Sequence, residues 1–191
     1  MKYIQIIKFL LTDDLTRLKE YWLIEVTNNK PLSIYRLLQH FLKKSCDKKD
    51  YLFWWRFANE MYLNGNRRQQ IIAQKVQKDL VMKFKIDIEL GAYIGKNLTL
   101  AHPYSITITK NAIIGENCFI LQNVTIGGSS EPIKIVIGNN VSIGANSVIL
   151  GGEITIGNNV RIGAGAFINK DIPDNCTVYT QKTNTIIQNN C

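Results

Sequence analysis

His102 and Asp87 are the two residues of this sequence whose types suit proton transfer. The chain has 191 residues and two histidines, and His102 lies in the segment LAHPYS. A neutral imidazole can take a proton from a hydroxyl group near pH 7, and a nearby carboxylate fixes its tautomer and raises its basicity. The residues alone leave two interpretations of His102 open, a general base and a structural or incidental histidine.

Metal and disulfide chemistry find little support in the sequence. The cysteines, at positions 46, 118, 176 and 191, form no CxxC pair, so neither a zinc knuckle nor a disulfide framework is expected. Two histidines are too few for a His-rich metal centre within one chain. We therefore expect no metal, and we expect His40 and Cys118 to be structural.

The charge of the chain is unevenly divided. Residues 1–85 contain 17 Lys and Arg against 8 Asp and Glu, residues 86–191 contain 6 against 7, and the formal net charge is +8. The lysines alternate with core residues, which is typical of a solvated helical surface, and no nucleic-acid motif accompanies them. The N-terminal segment IQIIKFLL is too short to span a membrane and lacks a signal-peptide cleavage site. We expect a cytoplasmic protein with no transmembrane segment that binds no nucleic acid.

Residues 1–85 predict a small helical domain. Apolar side chains recur there at the helical period of 3.6 residues. Helices are expected over 33–44, 50–65 and 67–84, with one or two more over 4–11 and 15–26. Asp50 is the expected N-cap of the helix over 50–65, and Gly65 is its expected stop.

Residues 86–178 predict a prism of stacked coils. An aliphatic residue recurs mostly at steps of six, and the residue four positions later is usually small or aliphatic. The recurring residues are Ile88, Ile94, Leu100, Ile108, Ile114, Ile120, Ile126, Ile137, Ile143, Ile149, Ile156, Ile162 and Ile168. Three such units make one coil of a parallel β-helix, whose inward residues stack on those of the next coil. A β-sandwich with accidental spacing is the alternative, but the near copies IGKNL, IGENC, IGNNV and IGNNV should all share one side of the prism.

The regular spacing is interrupted beside His102. Three steps exceed six residues, and the first insertion, of two residues, falls between Leu100 and Ile108. An insertion at a corner pushes residues out of the stack and into a groove, and Pro103 stiffens this corner. Asp87 begins the first side of the prism next to the same corner. The repeat therefore brings the two candidate residues towards one place.

The segment DIELGAYIGKNLTLAHP (87–103) resembles the serine acetyltransferase signature, which opens with Asp-Ile-His-Pro and closes with Leu-Asp-His. Asp87 and His102 fall where that family has its catalytic aspartate and histidine. The segments NAIIGENCFILQNVTIGG (111–128), VSIGANSVILGG (141–152) and VRIGAGAFI (160–168) continue the likeness in register, and WWRFANEMYLNGNRR (54–68) is similar to the helical segment before the family's repeats. The sequence thus resembles hexapeptide-repeat acyltransferases of the serine acetyltransferase-like branch.

The resemblance implies a fold and an activity. The fold would be α+β, with a helical domain (1–85), a left-handed parallel β-helix (86–178) and a C-terminal tail (179–191). The activity would be acetyl transfer from acetyl-CoA to a hydroxyl, with His102 as general base and Asp87 as its orienting partner. The family likeness also implies a homotrimer with active sites between neighbouring β-helices.

The same resemblance suggests which residues meet the donor. Backbone N–H groups near Gly127 and Gly128 are candidates for the developing oxyanion, although a diglycine is equally well explained as a loop exit. By analogy, the pantetheine arm would run along Ala145 and Ala164. Lys170 or Lys182 could meet the CoA phosphates, and a solvated surface role is the alternative for both lysines.

Two departures from the family pattern affect the acceptor. The loop after the diglycine is shorter than in the serine enzymes, with Lys134 near the position of a histidine that helps to hold the amino acid, and the tail also differs. We therefore favour a saccharide hydroxyl, as in shorter relatives that serve surface-polysaccharide synthesis, with serine as the alternative acceptor. A non-catalytic β-helix scaffold is a third possibility. A γ-class carbonic anhydrase needs three histidines per metal, which one histidine in the repeats cannot supply.

Overall fold

The computed structural model describes residues 2–42, 47–128 and 132–181 of the chain. Its first part is helical. The helices are α1 (Lys2–Thr12), α2 (Thr16–Tyr21) with a π-helical turn (Trp22–Val26), α3 (Ile34–Leu42), α4 (Lys48–Asn64) and α5 (Arg67–Phe84). The predicted helices are present, and the bounds of α5 are those expected from the sequence. No helix in the described ranges is long and apolar enough to cross a membrane.

The N-terminus of α4 differs from the prediction. Its N-cap is Asp47, whose carboxylate accepts a hydrogen bond from the backbone N–H of Lys49 at 3.2 Å. The prediction of Asp50 as N-cap is therefore wrong. Asp50 lies in the first turn of the helix and is buried, where its carboxylate bonds to the ring of His40. Gly65 is the C-cap, as predicted.

Strands begin as soon as the helices end. A capping box between Asn66 and Gln69 starts α5, and Lys85 ends it in the left-handed conformation with φ of 58°. This turn leads directly into the first strand, so Asp87 follows α5 by three residues. The end of α5 and the start of the strands are therefore fixed relative to each other by a single residue.

The described strands form a parallel β-helix with three faces. Every strand except β14 pairs with the third strand before or after it, and β14 pairs with β12. Face 1 contains β1 (Ile86–Ile88), β4 (Ile106–Ile108), β7 (Thr125–Gly127), β10 (Val148–Leu150) and β13 (Phe167–Ile168). Face 2 contains β2 (Tyr93–Ile94), β5 (Ala112–Ile114), β8 (Lys134–Ile137) and β11 (Glu153–Ile156). Face 3 contains β3 (Thr99–Leu100), β6 (Phe119–Ile120), β9 (Ser142–Ile143), β12 (Arg161–Ile162) and β14 (Thr177–Val178).

The strand register follows the six-residue repeat. On face 2 the IGxN copies align through Ile94, Ile114, Ile137 and Ile156. The recurring aliphatic residues of all three faces are buried, and so are the small residues four positions later, including Cys118. The predicted fold class of helices followed by a parallel β-helix is confirmed. The alternative of a β-sandwich is wrong, because successive coils pair in parallel through all three faces.

The three faces meet at three edges, which we name by their residues. The His102 edge joins face 3 to face 1 and contains residues 101–105, 121–124, 144–147 and 163–166. The diglycine edge joins face 1 to face 2 and contains, among the described residues, 89–92, 109–111, 128, 132–133, 151–152 and 169–171, with Gly127 beside it as the last residue of β7. The asparagine edge joins face 2 to face 3.

The asparagine edge is held by a ladder of side-chain amides. Its asparagines have φ near 60°, a conformation that asparagine tolerates better than most residues. Each amide donates to the next at 2.8–3.0 Å, in the order Asn97, Asn117, Asn140, Asn159 and Asn175. The same hydrogen bond between side-chain amides thus recurs from one coil to the next.

Buried polar contacts fasten the helices to the first coil. Arg56 donates to the backbone oxygens of Ile94 at 2.6 Å and Gly95 at 2.8 Å, and pairs with Glu25 at 2.6 Å. Glu25 in turn accepts from the N–H of Leu98 at 2.9 Å. One hydrophobic cluster also runs from the helices through the β-helix. The division into domains 1–85, 86–178 and 179–191 stays a prediction.

Candidate active site

His102 lies on the longest segment of the His102 edge. Five residues (101–105) join β3 to β4, whereas four residues (121–124) make the same connection in the next coil. His102 has φ of 51°, and its carbonyl oxygen accepts a hydrogen bond from Tyr104 N at 2.8 Å. Ser105 N donates to the backbone oxygen of Lys85 at 2.8 Å, which ties the segment to the end of α5. This geometry leaves the His102 side chain exposed.

The imidazole of His102 faces a groove between the helices and the first coil. The groove has a volume of about 410 Å³. We call it the His102 groove. Among the described residues, its lining contains Asp47, Lys48, Lys83, Phe84, Ala101, His102, Pro103 and Tyr104. The groove thus has three walls, formed by the first turn of α4, the last turn of α5 and the inserted corner. A small acceptor molecule fits a groove of this size.

Asp87 is held by the helical region. It points outward from β1 and is half-buried, and its Oδ1 accepts a hydrogen bond from Gln77 Nε2 of α5 at 3.1 Å. The same Gln77 nitrogen donates to the backbone oxygen of Ile88 at 2.8 Å. No hydrogen bond or ion pair joins Asp87 to His102 in the part of the chain that the structure describes. The functional pairing of these two residues stays a prediction.

A buried tyrosine lies behind Asp87. Burial raises the pKa of Tyr51 well above its ordinary value, the backbone at Ile88 lowers it, and the negative charge of Asp87 raises it further. Trp55 Nε1 also donates to Ile88 O at 2.8 Å. Asp87 is therefore close enough to the buried Tyr51 for the charge of its carboxylate to act on the tyrosine hydroxyl.

Two of the predicted donor-binding residues share an edge with His102. His102, Gln122, Ala145 and Ala164 each stand two positions after the last inward residue of a face 3 strand. Backbone bonds link their coils, since Asn146 N donates to Gln122 O at 3.0 Å and Gly165 N donates to Ala145 O at 2.7 Å. Gln122, Ala145 and Ala164 form a row along the His102 edge. In the first coil Asn123 N donates to the backbone oxygen of Tyr104 at 2.9 Å, so Tyr104 continues the row and His102 lies in the insertion beside it. An extended ligand could follow this row from one coil to the next.

The other predicted residues lie across face 1, at the diglycine edge. A side-chain carbon added at Gly127 would meet no atom within 4 Å, whereas one at Gly128 would lie 2.4 Å from the backbone oxygen of Gly151. Gly127 is therefore open to a ligand and Gly128 is packed. Lys134 begins β8 and Lys170 follows β13, and both side chains are exposed. Within one chain these residues are not brought together with His102, and Lys182 lies outside the described residues.

The expected structural residues have buried settings. Cys118 is buried in the β-helix, and burial raises its pKa to about 12. His40 bonds to Asp50 through Nδ1 at 2.5 Å and stacks on Phe53 with ring centroids 5.0 Å apart. Among the described residues, no three His, Cys, Asp or Glu side chains are grouped to hold a metal ion.

Comparisons with known proteins agree with this architecture. The family model described as "Bacterial transferase hexapeptide (six repeats)" matches residues 134–170. A crystal structure of serine acetyltransferase from Neisseria gonorrhoeae in complex with serine is 30% identical, with a TM-score of 0.67, over 92% of this chain and 70% of that chain. The chain belongs to the hexapeptide-repeat transferases.

Two curated hexapeptide-repeat relatives differ in length from this chain. The putative colanic acid biosynthesis acetyltransferase WcaB of Escherichia coli K12 is 42% identical over 101 residues, which is 52% of this chain and 62% of the relative. Serine acetyltransferase 3, mitochondrial, of Arabidopsis thaliana is 38% identical over 125 residues, which is 64% of this chain and 31% of the relative. The chain thus spans less than two thirds of the length of either relative.

Several residues around the site of this hexapeptide-repeat transferase were missed by sequence analysis. Gln122 could have been found, because it holds the same place in the repeat as Ala145 and Ala164. Gln77, Lys48 and Lys83 carry no such signal. They reach the site only because α4 and α5 pack against the first coil, and that packing has no periodicity to read in the sequence.

Proposed function

We propose that this chain is an acetyl-CoA-dependent O-acetyltransferase in which His102 is the general base. The observation that carries the proposal is the exposed imidazole at the inserted corner, which opens into a groove large enough for an acceptor. The two curated relatives described above are both named acetyltransferases, which supports acetyl as the transferred group.

The reaction would proceed by direct attack of the acceptor hydroxyl. His102 takes the hydroxyl proton as the acceptor oxygen bonds to the thioester carbonyl carbon. The carbonyl then re-forms as the carbon–sulfur bond breaks, and the departing thiolate receives the proton from the imidazolium. The products are the O-acetylated acceptor and CoA. Of the Asp87 oxygens, Oδ1 is held by Gln77, so Oδ2 is the atom available to orient and stabilise the imidazolium.

Donor binding would use the row of residues along an edge. The amides of Ala145 and Ala164 lie on the His102 edge and suit an extended pantetheine arm. A side-chain carbon at Gly127 would meet no atom within 4 Å, so a ligand can approach the backbone closely there. Backbone N–H groups near Gly127 and Gly128 stay the candidates for the oxyanion, and Lys170, with Lys182, could meet the phosphates. Because Gly127 and His102 lie on different edges of one prism, a shared site needs two copies of the chain. This separation supports a homotrimer with sites between neighbouring β-helices.

A sugar hydroxyl, in the synthesis of a surface polysaccharide, is the acceptor that we favour. The match with the colanic acid relative covers twice the share of that protein that the Arabidopsis match covers. In addition, Ala101 stands where the serine acetyltransferase signature has the aspartate of Leu-Asp-His. Lys134 lies at the diglycine edge and outside the described lining of the His102 groove of its own chain, so it could meet the acceptor only from a second copy.

Serine is the second candidate acceptor. The serine-bound Neisseria structure matches most of this chain, including its helices, and this match favours the serine reaction. Both versions share acetyl-CoA and the same base. The cytoplasmic location stays a prediction in either case.

The test is acceptor-dependent release of CoA thiol from acetyl-CoA. Serine, free sugars and nucleotide sugars would be compared with the wild-type chain, and each active pair repeated with His102→Ala. We expect a saccharide to be preferred and the substitution to lower turnover by about 10²–10⁴-fold. Preference for serine would replace the sugar assignment, and equal rates in wild type and variant would leave the non-catalytic scaffold as the better account.

A further inference from the structure

We propose that the acceptor carries an anionic group, a carboxylate or a phosphate, which Lys48 and Lys83 bind in the His102 groove. The inference deepens the function proposed above and rests on it. Both lysines line the same groove as His102. They come from different helices, at the first turn of α4 and the last turn of α5, so the fold brings one lysine from each helix end to the groove that His102 lines.

The position of the Lys83 ammonium is constrained by an aromatic ring. Its Nζ lies 4.8 Å from the ring centroid of Phe84, and Phe84 is itself part of the groove wall. A cation over a ring face is attracted by the ring quadrupole. This contact keeps the ammonium at the groove and leaves its N–H donors available to a ligand.

The described lining of the groove carries less negative than positive charge, and its carboxylate already accepts a hydrogen bond. Asp47 is the one acidic residue in the described lining, and its carboxylate caps α4 by accepting from Lys49 N. Ala101, the residue directly before His102, adds no charge. Two lysines against one capping carboxylate make the groove net positive, which favours an anionic acceptor over a cationic or neutral one.

The chemical class follows from combining this charge with the base. The acceptor needs a free hydroxyl near His102 and an anionic group on the same molecule, within the reach of a groove of about 410 Å³. A glycosyl phosphate and a uronic acid both satisfy these conditions. A neutral sugar has the hydroxyl but leaves the two ammonium groups without a partner.

The test follows the His102 imidazole by NMR and needs no turnover. The chain has two histidines, so ¹³Cε1 labelling gives two resonances, and His102→Asn identifies one of them. Glucose 1-phosphate, glucuronate, inorganic phosphate and glucose would be added separately at constant ionic strength. We expect glucose 1-phosphate or glucuronate to shift the His102 resonance saturably, and glucose to leave it unchanged. Response to only one of these two sugars identifies phosphate or carboxylate as the recognised group, with inorganic phosphate as the check.

Paired substitutions assign the binding to the two lysines. Lys48→Gln with Lys83→Gln should weaken anion binding about fivefold or more. Lys75→Gln is the matched control, because Lys75 is an exposed lysine of α5 outside the described lining of the groove, and it should bind as the wild type does.

The inference is overturned if neither sugar anion shifts the His102 resonance, if glucose shifts it equally, or if the double variant binds like the control. Failure of acetyl transfer in the turnover assay would instead contradict the proposed function, so the two failures are distinguishable.

Discussion

Buried polar groups of the helical region bond to residues far away in the sequence, whereas exposed asparagines of the β-helix bond to the same position in the next coil. Arg56 reaches Ile94 and Gly95, and Glu25 reaches Leu98. In the β-helix, Asn117 bonds to Asn140 one coil further on, and the same bond recurs along the edge. One region depends on single contacts and the other on a repeated contact.

The two histidines also differ between these two regions, and the difference bears on function. His40, in the helices, is fixed by Asp50 and stacks on Phe53. His102, at the interruption of the repeat, is exposed and faces a groove. A satisfied histidine adds to stability, while one with free nitrogens is available for proton transfer. Function is therefore expected where the regular pattern is broken.

The largest predicted effect is on the unique contacts of the helical region. Arg56→Met leaves Glu25 buried without its partner, so the free energy of unfolding should fall by about 3–5 kcal/mol. Urea denaturation measures this change. Lys96→Met is the control, because Lys96 pairs with Glu20 and Glu116 at a partly exposed site, where a loss of about 0–1 kcal/mol is expected. Equal losses in the two variants would contradict the contrast between the regions.

The repeated contacts should each matter less. Asn140→Ala places a side chain that disfavours the left-handed conformation at φ of 58° and interrupts the amide ladder, so we expect a loss of about 1–2 kcal/mol. Asn140→Gly also removes the amide but tolerates the backbone, so it should cost less than alanine. An alanine variant as stable as the wild type would show that neither the amide hydrogen bonds nor the preference of asparagine for the left-handed conformation contributes to stability here.

A third effect concerns the contact between the two regions at the site. Gln77→Leu removes the donor that holds Asp87, so kcat should fall about tenfold, the lower end for a hydrogen bond to a charged group. The KM for acetyl-CoA should not change. Gln74→Leu, at an exposed position of the same helix, is the control. A normal kcat in Gln77→Leu would mean that Asp87 needs no support from α5.

The smallest effect is a pH dependence that originates in the β-helix core. Burial raises the pKa of Cys118 to about 12 from an ordinary 9.0, so the unfolded thiol ionises first. The contribution of the protonated, buried thiol to the free energy of unfolding is fully present below pH 9 and is lost as the pH rises towards 12. Between pH 8 and 9.5 the wild type should lose about 1 kcal/mol more than Cys118→Ala. Equal slopes for the two proteins would show that the thiol ionises as readily when folded.

Prediction from the sequence succeeded where structure is repetitive. The repeat, with three units to a coil and near copies of one motif, places Ile94, Ile114 and Ile137 on one face. It also locates the insertion that exposes His102. A single helix start is a weaker signal, since Asp47 and Asp50 both suit an N-cap and only the burial of Asp50 against His40 decides between them.

The parts of the site that were missed depend on tertiary packing. Lys48 and Lys83 reach the groove because two helix ends meet the inserted corner, and Gln77 reaches Asp87 across the same junction. The sequence also could not show that Gly127 lies at a different edge from His102 until the insertions had been assigned to particular corners. Repeats therefore predict the scaffold, and unique contacts complete the site.

The most direct measurement compares acetyl transfer by His102→Asn and His40→Gln. Asparagine tolerates the left-handed backbone at position 102, and glutamine at position 40 can still donate to Asp50, so circular dichroism should show both variants folded. With acetyl-CoA and an active acceptor, we predict that His102→Asn loses about 10²–10⁴-fold in kcat while His40→Gln retains it. Equal activity in the two folded variants would contradict the assignment of His102 as the base.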